Sequence, residues 1–386
     1  MTIFRRIISI LLCFFVTSTV FRISSSAEGA PLLGETTSAI LVEKETGQVL
    51  YEKNADERLP IASVTKIMVL LIAAEEIKSG RLSLTDTAVC SDYAGSMDGS
   101  VIWLESGERM EISDLIKSIV IASANDACVM LSEHIAGSEA AFVERMNLRA
   151  AELKMTNTNF VNCVGYDNPN HYSTARDIAK MAAELRKYTY YDEYLLTRLD
   201  SVRTGTKTET QLLNTNKLIN SYNGITGLKT GTTDNAGYCL CATAQRRGME
   251  LIGVVLGCKT DEGRFSEAES LLDYGFNDFE TVTLRPDVSE LLEVKVEGGT
   301  KKTVDTRFSG VTDVILPKGS ASLIEYHYSR TESVEAPVQK GQLLGFVTMT
   351  SGETVVGTAK IVAAEEVEEL DFRRCMEELI KKLFTL

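Results

Sequence analysis

Apolar and polar positions change period several times along this chain of 386 residues, and each change marks an element. Ala39-Ile40-Leu41-Val42 and Val49-Leu50-Tyr51, with a turn at Thr46-Gly47 between them, read as a hairpin within Ser38–Lys53. Val64 to Ser79 reads as a helix closed by Gly80. Its middle, Ile67 to Ala74, is apolar on every side, which is the pattern of a helix buried all round. Met110–Ile121 and Ala127–Ile135 read as two more helices joined through Ser123-Ala124-Asn125, with Gly137 ending the second. Ser138 is placed to cap a further helix that runs to about Met155. Ile225–Thr230, Tyr238–Thr243 and Leu251–Leu256 then read as strands, and Gly263–Phe276 as a helix. Strands, a helical block and strands again predict a mixed α/β (α+β) body: a sheet with helices and an inserted helical subdomain.

The pattern shifts near residue 282. From there to about Ala364 short apolar stretches such as Leu291-Leu292-Glu293-Val294, Leu323-Ile324-Glu325-Tyr326 and Leu343–Met349 are punctuated by Gly, Pro and Ser, which predicts a small all-β domain. Val367 to Leu386 reads as an amphipathic helix with Phe372, Met376, Leu379, Ile380 and Leu383 on one face. At the other end, Arg5 and Arg6 precede the apolar run Ile7–Val20, and Ser24-Ser25-Ser26-Ala27 offers small residues for a cut after Ala27. This reads as an export signal; the run is short for a membrane span. The expected division is therefore 1–27 signal peptide, 28–280 main body, 281–364 β domain and 365–386 amphipathic helix.

Composition narrows the function. Hydrophobic residues at 44% and charged residues at 24% are ordinary for a globular protein. The net charge of −14 would become −17 after signal removal, and with no long basic run the chain is a poor binder of nucleic-acid phosphates. The three histidines, His134, His171 and His327, form no metal-ligand spacing, so neither a metal nor a cofactor is expected. Of eight cysteines, Cys13 lies in the signal, leaving an odd seven. Cys128, Cys239, Cys241 and Cys258 sit in apolar runs, and no disulfide framework is expected.

Three short motifs carry the chemistry: Ser63-Val64-Thr65-Lys66, Ser123-Ala124-Asn125 and Lys229-Thr230-Gly231. Singly, the first two are common; a lone Ser-x-x-Lys is usually a helix cap followed by a snorkelling lysine. All three in this order are specific, and they form a signature shared by class A β-lactamases and penicillin-binding proteins. The chemistry is intelligible from the residues. Ser63 opens a helix, near free N–H groups and the positive end of the dipole. Lys66 is one turn later on the same face, and desolvation in an apolar helix lowers its pKa toward that of a usable base. A serine needs such a base to become a nucleophile. Ser123 and Asn125 sit on a turn from which a hydroxyl and an amide can project into a cleft, although Asn125 can also cap the following helix. Lys229 to Gly231 is expected to end a strand, where Lys229 can hold an anion, Thr230 can donate its hydroxyl and Gly231 lets backbone approach the substrate.

With these motifs the chain resembles the D-alanyl-D-alanine carboxypeptidases, the low-molecular-mass penicillin-binding proteins of the serine peptidase type. The resemblance extends to Pro60-Ile61-Ala62-Ser63, Asp126-Ala127, His171-Tyr172-Ser173-Thr174-Ala175 and Gly227-Leu228. It implies the penicillin-binding fold and a substrate that is a peptidoglycan stem peptide ending in D-Ala-D-Ala, with β-lactams as covalent inhibitors. It implies Ser63 as acylated nucleophile, Lys66 as base, Ser123 as proton relay and Lys229 as carboxylate or relay group. The N–H groups of Ser63 and Thr232 would form the oxyanion hole, and Arg264 would support the Lys-Thr-Gly strand. Ala124 stands where relatives more often carry glycine, and Thr215 where some place an arginine for the substrate carboxylate. His171 belongs to a family segment and reads as structural. An endopeptidase would share the same residues, and a non-catalytic wall-binding protein is a third alternative. A class A β-lactamase needs a glutamate after the middle motif, and Thr156–Asn162 has no acid. The terminal helix is expected to lie on the outer face of the cytoplasmic membrane, although residues 365–386 carry seven acids against four bases.

Overall fold

The computed structural model describes residues 33–310, 313–372 and 376, so the expected signal lies outside the described residues. The chain divides into two units between Asp278 and Phe279.

The first unit is built on an antiparallel sheet of five strands: β1 (Ser38–Glu43), β2 (Val49–Lys53), β3 (Ile225–Thr233), β4 (Gly237–Arg246) and β5 (Met249–Cys258). Their order is β2-β1-β5-β4-β3, so the N-terminal hairpin joins the last three strands through the β1–β5 pair. All six residues of β1 are buried, and β5 is buried apart from Gly257, as suits strands inside a sheet covered by helices. The longer helices are α1 (Lys66–Lys78), α2 (Ile112–Ile121), α3 (Asn125–Ala136), α4 (Glu139–Glu152), α5 (Ala175–Leu185) and α6 (Asp261–Asp278). The apolar girdle of α1 is buried throughout, from Ile67 to Ala74, which makes this helix the axis of the core. Ser138 caps α4 by accepting a hydrogen bond from the Ala141 N–H.

Two local expectations differ from the structure. Met110 is not helical: Arg109–Glu111 pairs with Thr87–Val89, and α2 starts at Ile112. Met110 lies opposite Ala88, so the pairing claims the residues before the helix. The helix α5 was not anticipated, although Thr174 caps it by accepting from the Asp177 N–H and its apolar positions Ile178, Met181, Ala182 and Leu185 are buried.

The second unit is all β. Phe279–Thr283 pairs with Asp313–Pro317, and Val294–Glu297 lies between Thr303–Val304 and Ser333–Glu335. A four-stranded sheet runs in the order Thr306–Ser309, Thr354–Ala363, Leu343–Ser351, Ile324–Arg330. The expected helix does not begin at residue 365 or 367. Val367 and Glu369 form bridges with Val338 and Gly299, and the Val367 side chain is buried in a small valine-rich core. Burial of that valine holds the backbone extended where the helix was expected to start, as far as the Glu369 bridge. Phe372 and Met376 are helical, and Leu379, Ile380 and Leu383 lie outside the described residues.

Candidate active site

The site begins with a tight turn. Ala62–Thr65 is a 3-10 segment that runs straight into α1, with Ala62 in the left-handed region at φ +48°. In a 3-10 turn residues i and i+3 eclipse one another, which sets Lys66 directly over Ser63. Lys66 Nζ lies 2.8 Å from Ser63 Oγ, 2.6 Å from Asn125 Oδ1, 3.1 Å from the Val164 carbonyl and 3.4 Å from Ser123 Oγ. Two of these partners, the Asn125 amide oxygen and the Val164 carbonyl, can only accept. A neutral amine gives its two hydrogens to them and turns its lone pair toward the Ser63 hydroxyl. Burial pushes the Lys66 pKa down to about 8, against smaller upward pulls from Cys128, Cys163 and Asp126.

The turn between α2 and α3 supplies the opposite wall. Ser123 holds a left-handed backbone at φ +62°, a conformation that costs a serine roughly 1 kcal/mol or more. Asn125 does not cap α3: the cap position is Ala124, with no side-chain hydrogen bond. The Asn125 amide is committed across the cleft, its Oδ1 to Lys66 and its Nδ2 donating to the Asp98 carbonyl at 2.7 Å. Tyr166 holds that carbonyl's residue in turn, its hydroxyl donating to Asp98 Oδ1 at 2.5 Å. Asp126, at the start of α3, pins the irregular segment before Arg109–Glu111, its carboxylate accepting the N–H groups of Ile102 and Leu104.

The strand β3 forms the third side and continues to Thr233, so Lys229-Thr230-Gly231 lies inside the strand instead of ending it. Gly231 is required there by contact. A Cβ would stand 2.8 Å from the Ile61 carbonyl and 3.0 Å from both the Ser63 and Val64 nitrogens. The strand therefore lies against the turn that carries Ser63. Lys229 is buried, and burial, reinforced by the Lys66 and Arg264 charges, holds its ammonium well below the ordinary lysine value. The Thr230 hydroxyl donates to Thr215 Oγ1 at 2.7 Å. Behind the strand, Arg264 Nη1 donates to the Gly231 carbonyl at 3.1 Å and to Thr232 Oγ1 at 2.9 Å. Its Nη2 pairs with Asp261, which also holds Lys217 at 2.5 Å. Burial pushes the Asp261 carboxyl up, but the Lys217 and Arg264 cations outweigh it and hold it below the usual value.

Ser63, Lys66, Ser123 and Asn125 thus meet at one amine, and Lys229, Thr230, Gly231, Thr232 and Arg264 line and brace the facing strand. The groups that motif reading did not supply are Val164, through its carbonyl, Tyr166, Asp98 and Asp261. His171 packs below: its Nδ1 accepts the Val161 N–H at 3.2 Å, which leaves Nε2–H to donate to Thr65 Oγ1 at 2.7 Å. Burial lowers its pKa to about 4, so it is neutral and structural at neutral pH.

The D-alanyl-D-alanine carboxypeptidase family model matches residues 26–260. The chain belongs to this family. A second match, to the C-terminal domain of penicillin-binding protein 5, covers residues 279–369. The chain is 38% identical over 367 residues to the D-alanyl-D-alanine carboxypeptidase DacF of Bacillus subtilis, covering 95% of this chain and 94% of that one. The crystal structure of penicillin-binding protein 5 from Haemophilus influenzae is similar at a TM-score of 0.77 and 30% identity, over 88% of this chain and all of the other. Penicillin-binding protein D2 from Listeria monocytogenes, solved in its cefotaxime-bound form, is similar at 0.57 and 32% identity, over 62% of this chain and 97% of that one. The carboxypeptidase family accounts for both units: a penicillin-binding body of mixed helices and sheet, followed by an all-β domain.

Proposed function

We propose that the protein is a serine-type D-Ala-D-Ala carboxypeptidase, with Ser63 as nucleophile, that removes the terminal D-alanine of peptidoglycan stem pentapeptides and is acylated by β-lactams. The observation that carries this reading is the buried Lys66 amine, 2.8 Å from Ser63 Oγ, with acceptor-only oxygens taking its hydrogens. Lys66 takes the Ser63 proton as Oγ attacks the carbonyl carbon of the penultimate D-alanine. The developing oxyanion is received by the N–H groups of Ser63 and Thr232. Ser123 carries a proton to the leaving D-alanine nitrogen, the C–N bond breaks, and the acyl group remains on Oγ. Water then adds to the ester carbonyl, loses its proton to the same base, and releases the shortened peptide and free Ser63. Thr230, with Lys229 behind it, receives the carboxylate of the departing residue. Thr215 shares the Thr230 hydroxyl and adds no charge, so this site takes the carboxylate through hydroxyls and one buried cation. Asn125 holds the base, and Arg264 holds the strand.

Peptidoglycan as substrate implies work outside the cytoplasmic membrane, with residues 1–27 as the export signal. Among the described residues no helix is long and apolar enough to cross a membrane. Phe372 is 82% exposed and Met376 43%, which supports peripheral contact of the terminal segment with a lipid surface. The test of the catalytic reading is fluorescent penicillin labelling followed by D-alanine release from a pentapeptide, on the wild type and Ser63→Ala. Both signals vanish in the variant while circular dichroism is unchanged; covalent labelling that persists without Ser63 rules this nucleophile out.

A further inference from the structure

Two cysteines meet behind the base. Cys128 lies on α3 one turn beyond Asn125, and Cys163 immediately precedes Val164. Both are fully buried. The Cys128 thiol donates to the Cys163 carbonyl at 3.3 Å, and the Cys163 thiol shares side-chain hydrogen bonds with Cys128 and Ser132. Cys90 and Cys239 instead spend their thiols on carbonyls of their own segments, those of Ser91 and Ala236. The neighbours of the pair are the two groups that accept from Lys66, the Asn125 amide oxygen and the Val164 carbonyl. One sulfur therefore belongs to each of the segments that orient the amine.

The acylation chemistry uses neither thiol. An S–S bond needs sulfurs about 2.05 Å apart, a closure that thiols already in hydrogen-bond contact reach by rotation of their side chains. We propose that Cys128 and Cys163 form a disulfide as the chain folds outside the cytoplasm, and that this bridge staples the Asn125 turn to the Val164 segment. The oxidising surroundings come with the exported, wall-facing part of the carboxypeptidase reading, on which the proposal rests to that extent. The oxidant is a second disulfide, of a small thiol or of a protein. One cysteine thiolate attacks it and releases one thiol, and the other cysteine then displaces the second, so two hydrogens and two electrons pass from the pair to the oxidant. Exchange belongs to folding, before burial: in the folded chain burial holds the Cys163 thiol well above its ordinary value, so thiolate is scarce there. The bridge closes a loop spanning 35 positions and so restricts the unfolded chain. The Lys66 contacts are complete with both thiols reduced, so the staple makes the site persist and leaves its chemistry unchanged.

The experiment refolds the protein from urea in a buffer of oxidised and reduced glutathione, blocks the remaining thiols with N-ethylmaleimide and maps the unreduced peptides by mass spectrometry. One linked species should contain Cys128 and Cys163, and dithiothreitol should abolish it. Reduction should lower Tm by roughly 10 °C and leave penicillin acylation at room temperature within about twofold. Cys128→Ala, Cys163→Ala and the double variant should all melt near the reduced wild type, with no further change on adding dithiothreitol. Recovery of both residues alkylated in the wild type overturns the bridge. So does a pair of single-variant losses that add in the double variant while reduction leaves the wild type unchanged, which is the result of packing alone. If a variant fails to fold, the wild-type map and the effect of reduction on its Tm decide. Glutathione supplies the oxidant in this assay, so the map stands whether or not the chain is exported. Failure of both the bridged and the reduced protein to acylate would instead defeat the carboxypeptidase reading, and the map would still decide the bridge.

Discussion

The Lys66 pKa governs how acylation responds to pH. With that value near 8, the amine is neutral in about 1% of molecules at pH 6, about 10% at pH 7 and half at pH 8. The second-order rate of acylation by penicillin should therefore rise about tenfold from pH 6 to 7, bend near pH 8 and level off above pH 9. A lysine left at 10.5 would be neutral in roughly one molecule in 3,000 at pH 7, and its rate would still be climbing tenfold per unit at pH 9. The difference at pH 7 is about 300-fold, equivalent to about 3 kcal/mol of barrier. That gain has a structural source in the burial of the amine, which penalises its charged form. Stopped-flow quenching with a fluorescent penicillin from pH 5.5 to 10 reads the profile directly. A flat profile, or one that climbs tenfold per unit through pH 10, refutes the argument. Lys66→Arg sharpens the test, because guanidinium keeps the charge and cannot lose a proton; acylation should fall by roughly 10²–10⁴. Lys229→Arg should keep more activity, since that position needs a cation and no proton transfer.

Asp261→Asn should lower kcat for the pentapeptide several-fold and leave KM within about twofold, because it loosens Arg264 behind Thr232, whose N–H receives the oxyanion; Asp261→Glu should restore most of the loss, and an unchanged kcat would contradict the positioning role. His171 has a folded pKa of about 4 against 6.5 unfolded, so the unfolded chain takes up the proton first as pH falls. Stability is complete above pH 6.5 and declines toward pH 4, where this group alone costs about 3 kcal/mol. Urea titrations of wild type and His171→Gln at pH 7.5 and 4.5 should show a smaller acid loss in the variant, and identical losses would exclude His171 as the source. A chain ending at Asp371 should sediment less with anionic liposomes than the full chain, and equal sedimentation would defeat membrane contact by the terminal segment.

What could be read in advance follows from how local each interaction is. The Ser63–Lys66 relation is set by a spacing of three residues within one turn, and the burial of α1 by its own apolar girdle. Lys229 to Thr232 are consecutive in a strand whose alternation is legible only to Thr230, while the structure continues it to Thr233. They stay in register through pairing with Tyr238 and Gly237, which only the sheet reveals. Val164, Tyr166 and Asp98 were invisible for a different reason. They lie in irregular segments with no period, and Val164 acts through a carbonyl that every residue possesses. At the start of α2 and in the terminal segment, strand pairing of Met110 and burial of Val367 override helical periodicity. The helix α5 carries a readable signal in Thr174, Asp177 and its amphipathic spacing.

The most exposed dependence of the site is on a residue with no side chain. Gly165 has φ +92° and follows Val164, whose carbonyl accepts from Lys66. A Cβ at this position would stand 1.9 Å from the Ala62 carbonyl oxygen and 2.9 Å from the Ser63 nitrogen. All of the crowded atoms are backbone, so no rotamer change can relieve the contact. Either the Ala62–Ser63 turn or the Val164 carbonyl must move by about 1 Å, and both moves separate the base from the nucleophile. Misplacement on that scale costs roughly 10²-fold. Gly165→Ala should therefore slow acylation at least 100-fold while the protein remains folded. The left-handed φ contributes its own penalty, and Gly47→Ala isolates it. Gly47 has φ +69° with nothing within 4 Å of the added carbon, so that variant should lose about 1 kcal/mol of stability and none of its acylation rate. If Gly165→Ala acylated at the rate of Gly47→Ala, the close approach of this segment to Ser63 would not be what aligns the amine with the hydroxyl. The alignment would then have to come from Asn125 and the 3-10 turn alone.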